Sequence, residues 1–267
     1  MRYFTLLVLI LLNSSVIFSN SVNLTANEIM DQVDQRSVPD TMTAQIRLTL
    51  INKKNRKRVR HLMTYAKEID QDDYQVLFFR SPADVKGTGF LTIDYNDPQR
   101  DNAQWLYLPA LQKVKRIATT DQHRDFIGSD FSYADISGFE LDDYQFNRLS
   151  DVTIKSKNMN TYQIEAVPNS DALIKSLGYQ RVLLFVDSES LMIVRAIYYL
   201  NKRNHRKLFD VKKLEQIDGY WLATQLLMLS KEGSRTTHRS ILVQDQIVLN
   251  QAIPDHFFTT QYLKERL

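Results

Sequence analysis

Met42-Thr-Ala-Gln-Ile-Arg-Leu-Thr-Leu50 sets apolar side chains at every second position and polar ones between them. A period of two belongs to a β-strand with one face buried and one face wet. Asn52-Lys-Lys-Asn55 follows as a turn, and residues 59–66 return as the second strand of a hairpin. The same rhythm runs on to the C-terminus. It predicts strands over 74–80, 89–94, 104–108 and 113–117, then over 161–167, 181–187, 192–199, 207–217, 222–229 and 237–246. Asp187-Ser-Glu-Ser190 and Asp218-Gly219 supply turns between neighbours.

Helical signals are few. Thr25 and Glu28 have capping-box spacing, Ala26, Ile29, Met30 and Val33 share one face, and Pro39 marks the exit. Short helices are expected near 132–136 and 170–177, with a helical or irregular tail after Pro254. The fold class is therefore mainly β with a few helices: one large antiparallel sheet that must curl or close to manage its edges. Several strands are apolar on both faces, as in Val76-Leu-Phe-Phe79, Leu106-Tyr-Leu108, Leu183-Leu-Phe-Val186 and Leu226-Leu-Met-Leu229. Two apolar faces require cover on the second side, either by helices and lids as plain core or around an apolar cavity open to a ligand.

Met1-Arg2 puts one positive charge ahead of the apolar run 6–12, and Asn13-Ser-Ser15 interrupts it before Ser19 and Ser21. This predicts a signal peptide over 1–21 and a single mature domain over 22–267. An uncleaved anchor competes, but the run falls well short of the roughly 20 residues that span a bilayer. The chain has no cysteine, so neither an acylated N-terminal Cys nor a disulfide is available, and the core alone must stabilise it. A net charge of +3 over 267 residues is too balanced for a nucleic-acid binder.

Catalytic spacing is missing. The five histidines are scattered, with no H-E-x-x-H pattern. Asp121, His123, Asp125 and Asp130 lack regular ligand spacing and read as a polar loop rather than a cation site. Gly87-Thr-Gly89 precedes a strand, not a helix, and fits a turn needing positive φ better than a phosphate cradle. Ser129 lacks the strand-turn-helix setting of a nucleophile elbow. Asp142-Asp143 would need another acid opposite it to serve a glycosidase. The chain does not read as an enzyme, and no cofactor or metal is expected. Lys53-Lys-Asn-Arg-Lys-Arg-Val-Arg60 is either a solvated hairpin tip or an electrostatic docking surface for an acidic partner or anionic headgroups. Lys113, Lys115 and Arg116 offer a second basic patch, so the docking candidates are Arg56, Arg58, Arg60, Lys113, Lys115 and Arg116.

Three ordered blocks carry a family resemblance: Arg80-Ser-Pro-Ala-Asp-Val-Lys-Gly-Thr-Gly-Phe-Leu91, Gln104-Trp-Leu-Tyr-Leu-Pro-Ala-Leu-Gln-Lys-Val-Lys-Arg-Ile117 and Phe126-Ile-Gly-Ser-Asp-Phe-Ser-Tyr-Ala-Asp-Ile136. With the leader, the early helix and the strand series, the chain resembles the LolA-like outer-membrane lipoprotein-sorting proteins, in the branch associated with RND-type (MMPL) transporters. The resemblance implies an unclosed, strongly curved β-barrel of about eleven antiparallel strands plugged by helices. It implies a periplasmic carrier in a Gram-negative bacterium that binds acyl chains of a lipid or lipoprotein and shuttles them between the membranes with an inner-membrane RND-type partner. A sensor or interaction module on the same scaffold, regulating a membrane partner, is the alternative. No single arginine can be matched to the lid-locking role in such carriers.

Strand faces nominate Met42, Ile46 and Leu48, then Leu91 and Ile93, then Leu106 and Leu108, as cavity residues, with ordinary core as the competing reading. Phe126, Ile127, Phe131 and Tyr133 are the lid candidates, because a long connection has less need of apolar residues for packing.

Overall fold

The computed structural model describes residues 24–97 and 99–265; the expected signal peptide lies outside them. Helix α1 (Ala26–Asp34) leads into a meander of β1 (Thr41–Asn52), β2 (Lys57–Ile69), β3 (Asp72–Ser81), β4 (Gly89–Asp94), β5 (Ala103–Leu108) and β6 (Lys113–Arg116). A long connection of 3-10 turns and helix α2 (Tyr133–Ser137) reaches β7 (Tyr144–Arg148), β8 (Val152–Ile154) and β9 (Met159–Pro168). Helix α3 (Asp171–Leu177) opens a second meander of β10 (Tyr179–Asp187), β11 (Ile193–Leu200), β12 (His205–Ile217), β13 (Tyr220–Glu232) and β14 (Arg235–Leu249), and the tail ends in α4 (Tyr262–Glu265).

All fourteen strands join one antiparallel sheet in the order β6-β5-β4-β3-β2-β1-β14-β13-β12-β11-β10-β9-β7, with β8 on β9. The count corrects the eleven or so implied by resemblance. Alternation overlooks β7 and β8 because stretches of five and three residues are too short to show a period. The first and last strands meet in the middle, where Leu48 pairs with Leu242. Among the described residues no pairing joins β6 to β7, so the sheet is unclosed. It is nevertheless curled. Tyr144 of β7 and Leu242 of β14 border one interior cavity, yet they sit on strands that a flat sheet would hold about 29 Å apart.

The helices form where their caps dictate. The Thr25 hydroxyl accepts from the Glu28 N–H at 3.2 Å while the Glu28 carboxylate accepts from the Thr25 N–H at 2.7 Å. Ser132 and Asp135 make the same reciprocal pair at the start of α2. Alternation sorts the two-faced strands. On β3, Leu77 and Phe79 point to the inner face, against Phe90, Leu106 and Phe126. Val76 and Phe78 point outward, where the tail covers them with Ile253, Phe258 and Leu263. Gly87 lies at φ +81°, while Gly89 is needed for proximity, since a Cβ there would stand 2.9 Å from Leu263.

Candidate functional site

Two adjoining cavities occupy the inner side of the curl. The first, about 320 Å³, is bordered by Phe131, Phe139, Tyr198, Phe209, Leu226 and Leu242, with Arg36 and Asp135 as its charged members. The second, about 520 Å³, is a groove lined by Val38, Met42 and Leu222 and by the carboxylates of Asp34, Asp40, Glu68, Asp73 and Asp94. Val33, Arg36, Ile136, Phe139 and Ile193 form the wall they share. The chain thus grades from an acidic groove, past one guanidinium, into an apolar interior.

The titratable groups follow their surroundings. Burial pushes the Arg36 guanidinium down, opposed by Asp34, and its Nη1 donates to the Val33 carbonyl at 3.2 Å. Tyr144 and Tyr179 share a hydrogen bond between hydroxyls 2.5 Å apart, and burial holds both phenols, and that of Tyr198, above the ordinary tyrosine range. The interior floor therefore presents uncharged hydroxyls. At the groove, burial first and Glu140 second raise the Asp94 carboxyl to about 8.

Residues 125–139 roof the interior and are held at both ends. Phe126 packs on Phe90 at a centroid distance of 5.1 Å and on Tyr133 at 5.6 Å. Arg60, buried beside the Phe79 ring, donates from Nη1 to the Ile127 carbonyl. Ile127 is left-handed at φ 46°, ψ 44°, an outlier for a β-branched residue that surrounding contacts must sustain. Asp130, only 2% exposed, fixes the roof to β13 and β14. Its carboxylate accepts from Ser230 at 2.5 Å and Ser240 at 2.7 Å, and lies 2.6 Å from His238 Nδ1.

The nominated residues divide accordingly. Met42 lines the groove. Ile46, Leu48, Leu106 and Leu108 lie in the packed cluster beneath the roof rather than on the interior cavity. Leu91 and Ile93 belong to the outer face, under the tail with Phe258 and Leu263, because alternation pairs positions without telling which face is inside. Phe131 borders the cavity, while Phe126, Ile127 and Tyr133 sit in the packed cluster beside it. Arg56, Arg58, Lys113, Lys115 and Arg116 are exposed. Arg60 is not, at 7%: it shares the inward face of β2 with Leu62, and so leaves the docking set for the roof. The loop acids separate, with Asp121 pairing with Arg124 at 2.9 Å, Asp125 with Lys207 at 3.7 Å and Asp130 with His238. Tyr198, Phe209 and Leu242 are legible as strand residues and Leu226 as part of a strand apolar on both faces, but no sequence signal assigns any of the four to a cavity. Arg36 and the Asp130 partners are brought in by tertiary structure alone.

Comparison with known proteins places this architecture in a class. A family model described only as uncharacterized-protein-like matches residues 71–265. A DUF1329 family protein from Desulfovibrio piger superposes with a TM-score of 0.80 at 24% identity, covering 89% of this chain and 97% of its own. A putative outer membrane lipoprotein-sorting protein domain from Vibrio parahaemolyticus gives 0.80 at 25% identity, with the same coverages. A LolA superfamily protein from Nitrosomonas europaea shares the fold at a TM-score of 0.66 and 18% identity, over 90% of this chain and 99% of its own. No curated protein matches the sequence. The chain belongs to the matched family; it is similar to the putative outer membrane lipoprotein-sorting protein domain and shares its fold with the LolA superfamily protein.

Proposed function

We propose that the chain is a periplasmic carrier that takes the acyl chains of a lipid or lipoprotein into the interior cavity and conveys them between the inner and outer membranes, working with an inner-membrane RND-type exporter. It acts as a carrier and not as a catalyst, with the helices and roof plugging the curled sheet until cargo enters. The observation that supports this reading is the cavity wall of Tyr198, Phe209, Leu226 and Leu242, apolar side chains left only half-buried on the inner side of the sheet. Each methylene sheltered there is worth about 0.8 kcal/mol, which makes such a wall a seat for an alkyl chain. A volume of about 320 Å³ falls at the lower end of the roughly 300–1,000 Å³ range of small-molecule pockets. Among the described residues no helix is long and apolar enough to cross a membrane.

The test is competitive displacement of a hydrophobic dye by phospholipid, with mass spectrometry of lipid extracted from protein purified from its native compartment. Phe131→Asp places a charge on the cavity wall and is expected to lower dye affinity at least tenfold while the far-ultraviolet dichroism persists. Dye binding no stronger than that of an ordinary globular protein, with no extractable lipid, would defeat the proposal.

A further inference from the structure

The turns of the sheet are sorted by charge. At one end lie the turns joining β1 to β2, β13 to β14 and β11 to β12; register places them together, with Asn52 opposite His238 and His205 opposite Glu232. The first carries exposed Lys53, Lys54, Arg56, Lys57 and Arg58. The second carries exposed Arg235 and Arg239, and the third exposed Lys202 and Arg203 with half-buried Arg206. Glu232 is the sole carboxylate in the three, paired with Arg235 at 3.3 Å. Three turns at the opposite end, between neighbours of the same strands, carry the other sign: Asp70 and Asp72 between β2 and β3, Glu189 between β10 and β11, and Asp218 between β12 and β13. Across these six turns charge changes sign each time the chain reverses.

The basic turns also form one continuous rim. Their strands are neighbours in the order β2-β1-β14-β13-β12-β11, a row about 24 Å long at the usual strand spacing. The tips are tied sideways. Arg239 donates to the Asn55 side chain at 2.8 Å, the Gly233 N–H donates to the Asn204 carbonyl at 2.8 Å, and Arg206 donates to the Gly233 carbonyl.

We infer that this rim is a docking surface for a bilayer rich in anionic phospholipid. An acidic protein partner would be expected to meet an apolar centre ringed by polar groups. The rim has no such centre; Val59 is the one large apolar side chain exposed along it. A row of cations on tethered turn tips matches a flat anionic surface, where each Lys or Arg adds a similar increment of attraction. The acidic groove lies toward the opposite end, beside Asp40, Glu68 and Asp73. Anionic headgroups repel that end, so the molecule lands rim-first with its groove turned to the aqueous side. The inference stands apart from the cavity, because vesicle binding does not require cargo.

The test is co-sedimentation of the full mature chain with vesicles of phosphatidylglycerol in phosphatidylcholine, against phosphatidylcholine alone. The wild type is expected to bind the anionic vesicles and to lose binding steeply as salt rises. Combining Lys53→Gln, Lys54→Gln and Arg56→Gln, or Lys202→Gln with Arg203→Gln, should lower partition about fivefold per cation removed. Lys155→Gln, an exposed lysine away from the rim, should leave it unchanged, and all variants should keep wild-type dichroism and dye binding. Equal binding to both vesicle types, or rim variants that bind like the wild type, would overturn the inference. Binding to soluble polyglutamate as strong as to the anionic vesicles would overturn it in favour of an acidic protein partner. Loss of dye binding with vesicle binding intact would count against the carrier and not against the rim.

Discussion

The inner face of β1–β5 and the inner face of β10–β14 are built from the same alternation in the same sheet, yet they are covered differently. On the first, Phe79 and Phe90 are 1% and 0% exposed, closed over by Phe126 and Tyr133. On the second, Tyr198, Phe209, Leu226 and Leu242 face a cavity beneath α1, α2 and the roof and remain half-buried. Apolar periodicity reports that a face is covered; it does not report whether the cover touches it. The half-buried wall, not the best-buried core, is where a ligand has something to gain.

The largest break should come on the packed side. Phe90→Ala leaves a void under two aromatic neighbours, Phe126 and Tyr133, and is expected to cost about 3–5 kcal/mol in denaturant unfolding, with dye affinity per folded molecule unchanged. Loss of dye affinity there would mean that the two faces are one site. Asp130→Ala strands the Ser230 and His238 side chains, leaves Ser240 only the backbone N–H of residue 130, and loosens the roof. Stability should fall by about 1.5–3 kcal/mol, and stopped-flow dye entry should become faster. Entry at an unchanged rate would separate the roof from the route into the cavity. Phe209→Ala, on the open wall, should cost only about 1 kcal/mol because that ring is incompletely covered, while dye affinity shifts more than for Phe90→Ala.

The last test is a slope with pH. The Asp94 carboxyl, ordinarily near 3.8, is raised to about 8 in the folded chain, so the folded state keeps a proton that the unfolded state has lost. Its contribution is intact below about pH 4 and is lost as pH rises toward 8. Melting temperature should fall across that window, and Asp94→Asn should flatten the fall. An equal slope in the variant would assign it to other groups.

Much of this architecture was readable because burial leaves a period. Met42 to Leu50 announced β1, and Thr25 with Glu28 announced α1, since both signals are local. β7 and β8 were missed because so few residues carry no period. Alternation alone groups Leu91 and Ile93 with the cavity, because inside and outside become distinct only when the tail docks. Arg60 read as part of a basic run, although it alternates inward with Leu62. Its partner Ile127 is 67 residues away, and no local pattern encodes such a contact. The cavity wall was hidden for the same reason: its members look like any strand core until the cover is seen to stand off.

The unclosed sheet has a consequence for how the molecules behave toward one another. Two free edges would ordinarily template strand addition from a neighbour. Here one edge is the four-residue β6, carrying exposed Lys113, Lys115 and Arg116, and the other is the five-residue β7 beside the short β8 hairpin. A neighbouring copy approaching β6 edge-on meets like charge and too few amides to hold it. The sheet can stay open enough to house a cavity because its edges are unsuited to polymerisation.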